Sequence, residues 1–435
     1  MIEKLKSNIH IFIAFLVAAY LRIIFIFVKN PMENFIFSDM KMYWGRAESI
    51  LRGEWHPQHF FQPIGFTSII AFAKVYFQDP FVFLKLLHLA ASMGTLGLIY
   101  LSTKKVFDKK IAFFALMIAS FHYPFIMLSS VLLAETLFTF FIALVIYLIS
   151  LENFPWSKKH SIFIGIAFFL SFLLKGTFAF YPILLGLWAL LSYKKNFFHS
   201  VFTSLVFFAV PIIFGLFCHG LFTVEYIGNF QLSASSGGLN LVEGKCPSKY
   251  NKSADGYWWH SPLFVQTKES VKKEWEEPFT NSSYYTSEGV KCIIDRPSVL
   301  IESLRYIPYT FINNELWPSL KTNSSYQMLA RNYNLFTGFI LWPLIFVGLI
   351  VLFQAPRSRA FLSLVLPVMT LFFAVWLFKS EVRFRIPFDS AFIPIAAFGL
   401  SQLLEKFCST LSESRRNQIM TALGWGLGIW MLFEI

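Results

Sequence analysis

Apolar runs near twenty residues recur along this chain, the first at 9–28 and the last at 418–433. Each is long enough to cross the hydrocarbon core of a bilayer as a helix. In lipid every backbone N–H and C=O must find a partner within the protein, so runs of this length are helices. The alternating pattern of a membrane barrel is absent. The chain therefore reads as an all-α polytopic membrane protein with about eleven transmembrane helices. Only 14% of its 435 residues are charged, against about a quarter in a soluble protein. The net charge of +12 invites a nucleic-acid partner. That class is excluded, because Lys and Arg cluster in short loops between apolar runs, where they set topology.

The basic start, Met1 to Lys6, leads into 9–28 with no small-residue cleavage site after it. This run is expected to stay as the first span rather than to be removed as a signal peptide. Arg22 lies inside it and is expected to snorkel towards the outer interface. Residues 29–80 form the first loop. Within it Met40, Tyr43, Trp44, Ala47, Ile50 and Leu51 fall at helical spacing, which predicts an interfacial helix over 39–51 that Gly53 ends. The run 66–77 is too short for a full span and reads as re-entrant or interfacial. Further spans are expected at about 81–103, 111–128, 130–151, 161–175, 177–192 and 199–221, with Pro124 bending the second of these. Four more follow at about 336–354, 360–378, 387–404 and 418–433.

The polar stretch 222–335 is too long for an ordinary connection and is expected to form a small extramembrane domain. It divides the chain into an N-terminal transmembrane module, 1–221, that loop domain, and C-terminal transmembrane helices, 336–435. With the N-terminus inside, the basic loops at 104–110, 158–159, 194–195, 357–359 and 406–416 all fall on the cytoplasmic side. Residues 29–80, 222–335 and 379–385 then face the outside or a lumen. Cys246 and Cys292 share the large loop, and a disulfide between them is expected if that loop is extracytoplasmic. Asn251, Asn281 and Asn323 begin Asn-x-Ser sequons there. These agree with a luminal loop, and also with chance in an Asn/Ser-rich segment.

This topology puts several charged residues on one face of the membrane. Asp39 lies at the outer interface, Glu135 at the outer end of the fourth span, and Lys379, Arg383 and Arg385 in a short outer loop. Carboxylates beside cations suit a phosphate-bearing substrate, since Arg forks hold phosphate oxygens and a carboxylate takes a proton from a hydroxyl. Each residue also has a plainer reading. Asp39 could cap its helix, Glu135 could bond the nearby loop, Arg383 and Arg385 could anchor spans at the interface, and Lys175 could snorkel. His56 and His59 flank Pro57; a solvated loop is the simpler reading than a metal pair. Trp258 and Trp259 could pack the loop domain or lie on lipid. No metal site and no cofactor is expected.

A family resemblance rests on three stretches. Asp39 after the first span, then Tyr43, Ala47, Leu51-x-Gly53 and the turn Gln62-Pro63-Ile64-Gly65-Phe66, resembles the first external loop of the GT-C glycosyltransferases. The branch is that of protein O-mannosyltransferases and lipid A aminoarabinose transferases. The stretch 129–138, with Glu135, resembles their fourth span. Glu381-Val382-Arg383-Phe384-Arg385-Ile386-Pro387 resembles the Glu-x-Arg-Tyr-Arg-x-Pro segment of many bacterial members. The resemblance covers roughly 1–200 and 360–405. It implies an inverting enzyme that moves a sugar from a polyprenyl- or dolichyl-phosphate donor on the outer or luminal face. Asp39 would be the catalytic carboxylate, Arg383 and Arg385 would hold the donor phosphate, and Glu135 would shape or polarise the site. Tyr43, Lys175 and Lys379 would complete the substrate contacts. Ser38 stands where mannosyltransferases often have an acid, and Lys175 where related enzymes often have Arg. The membrane would be a bacterial inner or plasma membrane, or the endoplasmic reticulum. The acceptor, whether protein, lipid or glycan, stays open. The competing classes are a transporter or lipid flippase, which would show ionisable residues near midplane and broken helices, and a non-catalytic scaffold presenting 222–335.

Overall fold

The structure, a computed structural model, describes residues 2–192, 198–232, 234–246, 282–311, 333, 336–354 and 358–407, with a few isolated positions beyond. Trp258, Trp259, the three sequons and almost all of the expected last span lie outside the described residues.

Helix α1 (Ile2–Ile24) runs on through a π-helical turn to Lys29 and forms the first apolar span. A loop follows with two helices, α2 (Asp39–Leu51) and α3 (Ile64–Tyr76). The bounds of α2 match those read from its periodicity, and Gly53 ends it with a φ of +75°. Helix α4 (Pro80–Val106) starts where the Asp79 carboxylate accepts from the N–H groups of Phe81 and Val82, with Pro80 in the first turn. Asp108 caps α5 (Lys109–Phe121) in the same way. Helix α6 (Tyr123–Ser129) continues α5 after a 52° bend at His122, next to Pro124, as Pro124 predicted. Helix α7 (Glu135–Leu151) begins at Glu135 rather than at Ser130, so Glu135 sits in its first turn.

Then come α8 (Lys158–Phe172), α9 (Phe180–Ser192) and α10 (Phe198–Ile227). Helix α10 carries the module past the expected boundary at 221. Beyond it, α11 (Ser236–Lys245) packs on α12 (Ser282–Asp295), and a Cys246–Cys292 disulfide joins the ends of this pair. Further along, the described residues form α13 (Trp342–Gln354), α14 (Leu366–Leu377), α15 (Val382–Arg385) and α16 (Asp389–Phe407).

Among the described residues five helices are long and apolar enough to cross a membrane, or six if the bent α5–α6 pair is one span. The span Val382–Phe407, which holds α15 and α16, is the most buried of these five: 83% of its apolar stretch is covered, against 28% for α10. The exposed face of α10 carries Phe202, Val210, Ile213, Phe214 and Phe217, the surface of a helix whose solvent is lipid.

Arg22 corrects one expectation. It does not snorkel but is fully buried. Its Nε donates to Ser92 Oγ at 2.7 Å, and its Nη1 to the Ser120 and Ala18 carbonyls at 3.1 and 3.2 Å. A guanidinium is tolerated there because the last carbonyls of α5 lack helical partners and carry the negative end of its dipole.

Candidate active site

A cavity of about 750 Å³ opens between the start of α2, the turn before α3, the segment 172–180, α11 and residues 374–384. Two close approaches build it. Gly65 N–H donates to the Leu173 carbonyl at 3.0 Å, and a Cβ at Gly65 would lie 2.6 Å from that oxygen. The first loop can therefore seat on the end of α8, beside Lys175, only because residue 65 has no side chain. On the opposite wall Gly244 lies against the Phe378 carbonyl, where a Cβ would overlap it, and this brings α11 onto the approach to Lys379. Loop one is stiffened from behind: Lys74 pairs with Glu48 at 2.7 Å and lies 3.5 Å over the Trp44 ring, and Trp44 stacks on Phe81.

Asp39 is the first residue of α2, and Ser38 before it has a φ of +48°. Among the described residues Ser38 is the one non-glycine with positive φ, a conformation that costs energy and collects at functional sites. The Ser38 side chain, at the N-cap, makes no capping hydrogen bond. Asp39 Oδ2 accepts from Arg383 Nη1 at 2.6 Å. Arg383 Nε lies 3.2 Å from Glu381 and 3.6 Å from Glu135. Glu135 is buried behind the cavity wall and accepts from Lys175 Nζ at 2.6 Å. Lys379 pairs with Glu243 of α11. Burial by itself would raise the Asp39 carboxyl, but Arg383, with Lys175 and Lys379 further off, outweighs it and holds Asp39 below the usual carboxylate range. Asp39 is ionised at neutral pH.

Asp39, Lys175, Lys379 and Arg383 thus line one cavity. Tyr43 lines it too but is nearly buried, with its ring edge-on to Phe66 at 5.1 Å, and burial pushes its phenol up. Arg385 does not join them. It is buried, with its Nε 3.2 Å from Asp389 and its Nη1 donating to the Phe311 carbonyl at 3.1 Å, and it also bonds the Tyr333 hydroxyl. Asp389 in turn bonds His122 at 2.8 Å. The reason is local: the charged loop ends at Glu381 and α15 begins at Val382. Residues two apart on a helix face different ways, so Arg383 meets the cavity while Arg385 meets the core.

His59 is buried rather than part of a solvated loop. Its Nδ1 accepts from the His56 N–H at 3.2 Å and closes a short turn. Burial first, then His56 and Arg46, push its imidazolium down to about 4, so the ring is neutral. Sequence reasoning missed Glu243, Ser236 and Asn240, which line the cavity from α11. They sit in a polar loop without hydropathic pattern, and only the Glu-Gly-Lys at 243–245 hints at a close packing point.

No protein-family model and no curated protein sequence matches the chain. Among solved structures, the archaeal oligosaccharyltransferase AglB from Archaeoglobus fulgidus, in complex with an inhibitory peptide and a dolichol-phosphate, matches with a TM-score of 0.51 at 13% identity. That likeness covers 99% of this chain and 55% of the other. The chain has the GT-C fold. A structure of the same organism's oligosaccharyltransferase with Zn and sulfate gives a TM-score of 0.49 at 13% identity, over 97% of this chain and 52% of that one. ArnT from Cupriavidus metallidurans, bound to undecaprenyl phosphate, gives 0.41 at 11% identity, over 92% and 81%. The GT-C fold and the long apolar helices make the chain an integral membrane protein. It spans about half the length of the oligosaccharyltransferase chains, 55% and 52%.

Proposed function

We propose that this protein is a glycosyltransferase that moves a sugar from a polyprenyl- or dolichyl-phosphate donor to an acceptor on the extracytoplasmic or luminal face of its membrane. The observation that carries this reading is the Asp39–Arg383 contact inside a large cavity whose remaining walls are mostly apolar. Phe172, Phe180 and Phe378 offer a prenyl chain a surface, and the cations offer its phosphate a partner. The disulfide supports the sidedness, since such bonds persist in oxidising compartments.

Each cation is held by a carboxylate: Arg383 by Asp39, Lys175 by Glu135 and Lys379 by Glu243. A donor phosphate competes with these partners. As it draws Arg383 towards itself, Asp39 loses the charge that depresses its pKa and becomes a better base. Asp39 then takes the proton of an acceptor O–H or N–H. The acceptor atom attacks the anomeric carbon, the bond from that carbon to the phosphate oxygen breaks, and the polyprenyl phosphate departs with its charge on Arg383 and Lys379. Attack opposite the leaving group inverts the anomeric centre. Glu135 acts as a positioning residue for Lys175 and Arg383. Helices α2 and α3 cover the reacting centre and limit hydrolysis.

The test is transfer from radiolabelled polyprenyl-phosphate sugars in proteoliposomes, wild type beside Asp39→Asn. Donor consumption that needs Asp39 supports the reading. Scrambling of the lipid without donor consumption replaces it with a flippase.

A further inference from the structure

Helix α11 lies along the cavity as a strap fastened at both ends. At its start the N–H groups of Ser235 and Ser236 donate to the Phe60 and Phe61 carbonyls of loop one at 2.9 and 3.1 Å. At its end Gly244 seats on the Phe378 carbonyl, and the buried Lys245 ammonium donates to the Trp376 carbonyl at 2.5 Å and to Ser303 Oγ at 2.8 Å. Its outer face is closed by α12, where a Cβ on Gly238 would lie 2.6 Å from Ser282 O and one on Gly289 would lie 2.7 Å from Leu241. Both termini and the back of α11 are therefore spoken for by packing.

The remaining face is polar and turned inward. Ser236, Asn240 and Glu243 follow one another at i, i+4 and i+7, which stacks them on one side of a helix, and all three line the cavity. Beside them Gln62 has its Oε1 engaged by Arg46 at 3.0 Å, which leaves its amide NH₂ to donate. Packing does not require a hydroxyl, a carboxamide and a carboxylate in this row. The stripe differs in kind from Lys175, Lys379 and Arg383 in the same lining, where cations suit phosphate. Neutral amides and hydroxyls with one carboxylate supply alternating donors and acceptors, which suits the adjacent hydroxyls of a sugar.

We propose that Ser236, Asn240 and Glu243 form a saccharide-recognition edge that grips the hydroxyls of the donor sugar while Arg383 and Lys379 hold its phosphate. This rests on the polyprenyl-phosphate-sugar reading above. Glu243 touches Lys379, so the sugar and phosphate subsites meet at one ion pair.

The experiment compares binding of bare polyprenyl phosphate with binding of polyprenyl-phosphate mannose, glucose and 4-amino-arabinose to the full chain in nanodiscs. In the wild type at least one glycosylated lipid binds more tightly than the bare one. In Asn240→Ala and, separately, Ser236→Ala, that lipid loses roughly five- to tenfold, the worth of one neutral hydrogen bond, while bare polyprenyl phosphate binds as before. Unchanged binding of both lipids in both variants overturns the proposal. So does equal loss for bare and glycosylated lipids, which would leave α11 only a structural role. A wild type that binds neither kind of lipid defeats the donor reading itself, and this inference with it.

Discussion

Arg383 and Asp39 are 344 residues apart in the chain, and the guanidinium of one donates to the carboxylate of the other across 2.6 Å. The contact joins the first turn of α2 to the first turn of α15. Both groups are shielded from water, so their attraction is stronger than at a surface. It is also exchangeable, because a lipid phosphate presents Arg383 with the same charge and geometry as a carboxylate.

The pair gives stability a definite pH dependence. Asp39 has its folded pKa below the ordinary value, which is about 3.9. Its contribution is then fully present above that ordinary value and is lost as pH falls through the depressed folded value. Melting of the wild type and of Asp39→Asn in detergent should differ by a constant amount from neutral pH down to about pH 5. The two should converge only in stronger acid. Convergence already near pH 6 would show that Asp39 is not held by Arg383.

Arg383 and Arg385 should fail differently. Arg383→Gln removes a cavity cation, and the expected result is a raised KM for the donor in an enzyme that still folds. Arg385→Gln leaves Asp389 buried with His122 alone. Breaking a buried pair costs about 3–5 kcal/mol, so this variant should melt lower or fail to accumulate. Size-exclusion profiles and melting curves beside donor KM values would separate the two. A raised KM with normal melting in Arg385→Gln would place it on substrate.

Gly65→Ala should cost both stability and activity, because the new methyl meets the Leu173 carbonyl at 2.6 Å and backbone has to move. The displaced segment carries Lys175, so donor KM should rise roughly tenfold, the effect of losing one charge-assisted contact. Gly97→Ala in α4 is the control, since nothing lies within 4 Å of its Cβ position; a helix interior there gains up to about 1 kcal/mol. Equal behaviour of the two variants would remove the role assigned to Gly65.

Lys245 makes a prediction at alkaline pH. Burial pushes its ammonium down to about 8, against about 10.4 in an unfolded chain. Between those values the unfolded state binds the extra proton, so stability should rise with pH across that window. Lys245→Met, which cannot titrate, should lack the rise. Parallel wild-type and variant slopes between pH 8 and pH 10 would mean that the ammonium is not desolvated.

Much of this molecule was legible in its residues. Apolar run length marked the longest apolar helices, among them α1, α4 and α10, and the period of Met40, Tyr43 and Ala47 set the bounds of α2. Topology alone grouped Asp39, Glu135, Lys379, Arg383 and Arg385, and of these Asp39, Lys379 and Arg383 line the cavity, with Lys175 beside them. Basic loops order the sides of a membrane, and ionisable groups beside spans are too costly to be there by chance. These are local properties, carried by a residue and its neighbours in sequence. Tertiary structure decided the rest. It turned Arg22 from the interface into the core, and Arg385 to Asp389 instead of the cavity. It brought Ser236, Asn240 and Glu243 of a patternless loop into the cavity lining. Each outcome depends on what packs against a side chain: Arg22 meets Ser92 from 70 positions away and Arg385 meets the Phe311 carbonyl from 74, and neither contact has a local trace in its residues.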